Sequence, residues 1–349
     1  MVFSRRRICA VAVYQILVLL SAISANATYQ LNITNRQYLN GGVSGVLDPV
    51  ADSLEAQFNT AMAASDNMAF LSNVGNANAG STRSFLAPGS TDPSKFSFGF
   101  GVSGALSGGT STSTKANSLP AVGAAAQSGI TIGANGDAIS VFEGLNPKKV
   151  MYYFSFYSMD LSRFFSNGIS VDSTQISLGL SYQVYNPREW MPGIRFNGIR
   201  MTSGASYAGF NGSYTAPFTI SSGGVDMQSD VTLSVDSTVF TFSTEATAGV
   251  RIFYLLDLFM GLGVDFNVGT TKLQGSSSNG AVSASQGGVT VFTGDVELLG
   301  SADAASPSAA QLRWIIGTQV NLGPMGVYGQ AQVSTPSVYS LNLGAKFAF

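Results

Sequence analysis

The sequence predicts an all-β fold, an antiparallel up-and-down transmembrane β-barrel of about 10–12 strands with an N-terminal helical segment. Long segments alternate apolar residues with Gly, Ser and Thr; charged residues make up only 10% of the chain beside 45% hydrophobic ones; and short connections alternate with long ones. A soluble domain carries roughly 25% charged residues to cover its surface. This chain has 40 Gly, 23 Phe and 13 Tyr, which suit small lumen positions and interfacial rings.

The alternation begins where Phe96, Phe98, Phe100 and Val102 interleave with Ser97, Gly99, Gly101 and Ser103. It returns in Ile176, Leu178, Leu180, Tyr182 and Val184, and at greater length from Phe240 to Tyr254. A strand that is apolar on one side and small or polar on the other fits a wall between lipid and water. A soluble β-sandwich also alternates, with shorter strands and a better charged outer face.

Counting back from the C-terminus gives strands near 338–349, 325–334, 309–322, 258–272, 238–256, 190–204, 173–186 and 148–158. The Phe96 segment and 129–142 make ten, and a hairpin over 211–236 would make twelve. The links at 255–258 and 321–325 are tight. Those near 108–128, 205–235 and 274–308 are long and rich in Gly, Ser and Ala, as expected for outward loops. The barrel proper is expected over 96–349.

Residues 1–27 read as a secretory signal peptide, with Arg5, Arg6 and Arg7, an apolar run from Ile8, and a cleavage site at Ala25 and Ala27. The only cysteine, Cys9, lies inside it. Its removal leaves 14 basic against 19 acidic residues, a net charge of −5, which excludes nucleic acid as a partner on electrostatic grounds. Over 28–95 the apolar period is four: Val46, Val50, Leu54, Phe58 and Met62 predict one amphipathic helix over 48–70, with Asp48 as N-cap and Pro49 at its first position. This segment is expected as a helical plug or periplasmic segment, or as a gate or partner-binding arm.

The last strand places Tyr339, Leu341, Leu343, Phe347 and Phe349 on one face. It resembles the C-terminal assembly strand of bacterial outer-membrane β-barrel proteins. The resemblance implies an outer-membrane location reached by signal-peptide export, contact with outer-membrane lipid, and the barrel-assembly machinery as a partner of this strand. Gly75-Asn76-Ala77-Asn78-Ala79-Gly80, beside a plug-like segment, resembles the long-chain fatty-acid transporter family, whose following Asn-Pro-Ala-Gly stands here as Leu86-Ala87-Pro88-Gly89.

The chain has no histidine, so the Ser-His and Asp-His machinery of hydrolases has no base. With no cysteine after the signal, zinc, haem and iron–sulfur sites lack their usual ligands. The expectation is a non-enzymatic protein with no catalytic residues, no metal and no cofactor. The Gly99–Gly101 and Gly261–Gly263 stretches lie inside strands and lack the Lys-Ser/Thr of a phosphate loop. Glu245, Arg251, Asp265, Arg313 and Lys346 share the polar faces; a basic residue facing lipid costs about 2–4 kcal/mol, so these are expected in the lumen. There they form either an ion-pair network or a charged constriction. Trp190, Tyr254, Tyr339, Tyr152 and Tyr153 are candidates for aromatic belts or ordinary packing.

Three functions fit: a narrow porin-like channel for small polar solutes, a surface adhesin or structural barrel using its long loops, and a hydrophobic-substrate transporter with an N-terminal plug.

Overall fold

A computed structural model of the chain describes residues 28–39, 68–82, 96–108, 122–139, 145–160, 168–222, 225–286, 289–301 and 304–349, with positions 52 and 162. Its elements are β1 (Thr28–Tyr38), α1 (Met68–Ser81), β2 (Phe96–Gly108), β3 (Val122–Asn135), β4 (Val150–Asp160), β5 (Ile169–Tyr185), β6 (Arg188–Met191), β7 (Ile194–Ser222), β8 (Val225–Ile252), β9 (Leu256–Gln286), β10 (Val289–Ser301), β11 (Ala310–Leu322), β12 (Met325–Ser334) and β13 (Val338–Ala348).

The strands form one 13-stranded sheet. Ten of them close a ring in the order β2, β3, β4, β5, β7, β8, β9, β11, β12, β13 and back to β2, every pair antiparallel. Closure leaves the wall without an edge, the condition under which strands cross a membrane. At the seam the ends are stapled: Phe349 N donates to Phe96 O at 2.9 Å and Phe96 N to Phe349 O at 3.3 Å.

One face of the wall is apolar and exposed. On β9 it runs through Leu258, Met260, Leu262, Val264, Phe266 and Val268, while Asp257, Asp265 and Asn267 are buried on the other side. Eleven tilted strand residues span about 25 Å, the height of an outer-membrane apolar band. Beyond Val268 the polarity inverts without any change of pleat. Thr270, Lys272 and Gln274 now face out and Leu273 is buried; on β8, Val231, Leu233 and Val239 are buried, and Thr238 is exposed just above Phe240, where the band begins. The level of Thr238 and Thr270 therefore marks one membrane surface. Above it β7, β8 and β9 continue as a sheet with a water-facing outer side.

This extension corrects the loop reading. Residues 211–222 and 225–236 lengthen β7 and β8 and add no wall strand, so the wall has ten strands. Residues 274–286 belong to β9, and 289–301 form β10, which pairs with that upper part of β9. β1 (Thr28–Tyr38), at the start of the segment expected over 28–95, pairs with β10 at the sheet's edge. In β3 the strand spans 122–135, upstream of the expected 129–142. Most of the helix expected over 48–70 and the whole signal segment, with Ala25 and Ala27, lie outside the described residues.

At the opposite end the β8–β9 and β11–β12 connections are tight turns, as at a periplasmic rim. Between β8 and β9, Phe253 and Tyr254 both take the left-handed conformation, with φ 49° and 61°. Bulky residues adopt it at a cost. The turn presents both rings to the interface, at 75% and 63% exposure, where an aromatic belt sits. Trp190, on β6, stacks on Phe196 with centroids 5.3 Å apart at the same end.

Candidate functional site

The lumen is filled from both halves. In its outer half lies α1, whose sequence MAFLSNVGNANAGS carries no apolar stripe because its surroundings are polar. Asn76 Oδ1 accepts from Ser308 N at 2.7 Å and from Gln311 Nε2 at 3.1 Å. Ser81 Oγ accepts from Gln127 Nε2 at 2.7 Å, and Ser107 Oγ donates to Asn73 Oδ1 at 2.9 Å. Two apolar contacts interrupt these polar ones: Leu71 packs with Leu273 and Ala305 at the outer mouth, and Ala77 with Ala105 and Ala125 deeper in the lumen. Glycines let the helix touch the wall: a Cβ on Gly123 would stand 2.2 Å from the backbone C of Asn73.

Around and below α1 the sequence-predicted charges divide into two clusters. Arg313, 0% exposed, donates through Nη1 to Glu245 Oε2 at 2.7 Å and Gln332 Oε1 at 3.1 Å, and through Nη2 to Asp265 Oδ1 at 3.0 Å. Gly263 leaves the room for that guanidinium, since a Cβ there would lie 2.8 Å from Nη2. Arg251 instead grips Asp257, with Nε to Oδ1 at 2.8 Å and Nη2 to Oδ2 at 3.0 Å; Asn197 and Asn321 donate to the same carboxylate at 3.0 and 2.8 Å. Asp257 falls in the tight link expected over 255–258, so strand alternation does not assign it to the lumen face. Lys346 is buried on the lumen side of β13.

Across the wall at mid-height runs a register row of small residues: Tyr328, Gly344, Gly101, Gly129 and Tyr157 are successive partners. The two tyrosines are buried against each other along this glycine strip, and Tyr157 Oη shares a hydrogen bond with Thr131 Oγ1 at 2.8 Å. Gln127, Gln175, Gln311 and Gln319 are fully buried as well. These side chains all face the lumen and are inaccessible to solvent, as packing of the lumen requires.

The second candidate surface is the sheet above the membrane. Its inner side is a small apolar core, Ile33, Met227, Val282, Ala284, Phe292 and Val296, with Tyr38 against Phe292 at 5.8 Å. Burial also pushes the Tyr214 hydroxyl on β7 above its ordinary value. The outer side holds a shallow groove of about 700 Å³ lined in part by Asn35, Asp226, Gln228, Ser283, Thr293 and Asp295. Asn35 Nδ2 donates to Asp295 Oδ2 at 2.7 Å, tying β1 to β10 across it. Asp226, Asp230, Asp236, Asp295 and Glu297 on these strands outnumber Arg36 and Lys272.

An apolar outer band around a closed, polar-filled ring defines a bacterial outer-membrane β-barrel. The chain belongs to the Lsa36-like family, whose model matches residues 26–349. No curated protein matches it. Among solved structures it is similar to the translocator domain of the autotransporter NalP from Neisseria meningitidis, at 13% identity and TM-score 0.32, over 73% of this chain and 88% of that one. The outer membrane protease OmpT from Escherichia coli gives 9% and 0.35, over 77% and 99%. A Pseudomonas aeruginosa FadL homologue gives 8% and 0.26, over 78% and 98%. Likeness this distant carries nothing of their activities to this chain.

Proposed function

We propose that the protein is a non-enzymatic surface-binding barrel, with a closed wall that anchors and displays the sheet built by β7, β8, β9, β10 and β1. The observation that carries this reading is the inversion of polarity above Val268, which turns three wall strands into a projecting platform with a polar outer face. The filled lumen favours display over a porin-like channel. The polar surroundings of α1 likewise disfavour a hydrophobic-substrate route. Carboxylates on the platform steer cationic partner surfaces toward it, an effect that weakens as salt rises.

Deleting 211–235 together with 274–304 tests the reading. Expressing cells are expected to lose attachment to host-cell monolayers, while the ten-stranded barrel still shifts in gel mobility on boiling. Attachment that survives the deletion overturns it.

The exposed face of β13, with Tyr339, Leu341, Leu343 and Phe349, is the proposed docking element for the barrel-assembly machinery; Phe347, half-buried, stacks on Phe100 at 6.5 Å. Phe349→Ser keeps the backbone bonds to Phe96 and removes only the ring. Pulse-chase of the heat-modifiable form is expected to show slower assembly with an unchanged final stability.

A further inference from the structure

We infer that the chain carries its own N-terminal segment through its barrel to the cell surface. Four observations fix the path. β2 enters the wall at the periplasmic end, where Phe96 is bonded to Phe349. β1 stands at the other end: its partner β10 pairs with β9 over 274–286, beyond the outward apolar band that ends at Val268. Between them in sequence, α1 lies inside the ring, with its Ser72 end at the outer mouth, bonded to Ser306 O at 3.1 Å, and its Ser81 end deeper, bonded to Gln127. Finally, every neighbouring pair in the ring is hydrogen-bonded, and even its shortest ladder, β3 with β4 from Gly129 to Asn135, closes the ring below the Ser81 end of α1, which bonds to Gln127.

A segment that begins outside, passes within a closed ring and joins the wall at its periplasmic end has one topology: it is threaded. Translocation begins in the periplasm, where an exported chain starts, so the residues before α1 must cross as the ring closes around them. No covalent step is needed, and the driving force is visible at the destination. β1 gains a ladder with β10, and Ile33 and Tyr38 join the apolar core of the platform. Burial of such side chains contributes favourably only after they have crossed. α1 then comes to rest as the cork, held by its asparagines and serines. The barrel is thus the conduit for its own edge strand, and this holds whether or not the platform binds a partner.

The test uses the full chain with Cys9→Ala and one cysteine at a time, in intact cells treated with a membrane-impermeant maleimide. Thr34→Cys on β1 is expected to label as strongly as Ser278→Cys on the outer part of β9. Lys148→Cys, in the periplasmic turn before β4, is expected to label only after the outer membrane is permeabilised. Heat-modifiable gel mobility shows that each variant has formed its barrel. The inference is overturned if Thr34→Cys behaves like Lys148→Cys while Ser278→Cys still labels on intact cells, or if the folded Thr34→Cys chain labels in neither condition. Labelling of Lys148→Cys on intact cells overturns the orientation on which it rests.

Discussion

Replacing Arg313 by Met is expected to destabilise the folded barrel by about 3–5 kcal/mol, because Glu245 and Asp265 then face each other as uncompensated buried carboxylates. Those groups are nearly inaccessible, with side-chain exposures of 12% and 1% against 0% for the arginine. The loss comes from stranding the acids more than from the worth of the pairs. Neutralising all three positions, as Arg313→Met with Glu245→Gln and Asp265→Asn, is therefore expected to recover most of the stability. Urea-induced unfolding in detergent micelles or bilayers, followed by gel mobility, reads both variants. A triple variant no better than the single one would show that the cluster stabilises by its charges and not by their mutual satisfaction.

Gly123→Leu is expected to dislodge α1. The new Cβ would fall 2.2 Å from the backbone of Asn73 and Val74, and backbone cannot swing aside as a flexible side chain does. The helix must move or the wall must deform, and the closed ladder is the stiffer of the two. Overpacking of this kind costs about 1–3 kcal/mol, less than the loss of the wall. Ala77, fully buried on α1 against Ala105 and Ala125, supplies the readout. In an Ala77→Cys chain the thiol is expected to resist maleimide in the folded state and to react once Gly123→Leu is added. Equal protection in both chains would show that α1 is not seated by that contact.

The wall was legible because lipid on one side and a polar lumen on the other impose a two-residue period that survives in the sequence. The periplasmic ends of the strands, β3 apart, fall close to the expected positions for the same reason. The outer ends of β7, β8 and β9 do not, and the physical cause is the change of solvent at Thr238 and Thr270. Above that level the period persists with its sign reversed. Leu233 and Val235 alternate with Ser234 and Asp236, yet a stretch so rich in Gly, Ser and Thr reads as loop when lipid-facing residues are the signal sought. The alternation of apolar and polar residues through 231–239 was the available clue.

The candidate site was legible in part. The need to keep charge away from lipid put Glu245, Arg251, Asp265, Arg313 and Lys346 on one face, and each of them is in the lumen. Which of them meet depends on cross-strand register, and the pairing of Gly263 with Arg313 fixes that only in three dimensions. α1 was hidden by its own location. A helix inside a polar lumen has no reason to be amphipathic, so Gly75 to Gly80 drew notice as a family-like motif and not as a helix. β1 gave little warning either, because a single edge strand depends on β10, far away in sequence, for its partner.

The proposed display barrel is closed along its axis. Single-channel recording of the purified, heat-modifiable wild-type protein in planar bilayers tests this most directly. The account predicts silent membranes over a wide voltage range, because α1, the Arg313 cluster and the Arg251–Asp257 cluster fill the lumen. Sustained stepwise conductance from the folded protein would contradict it.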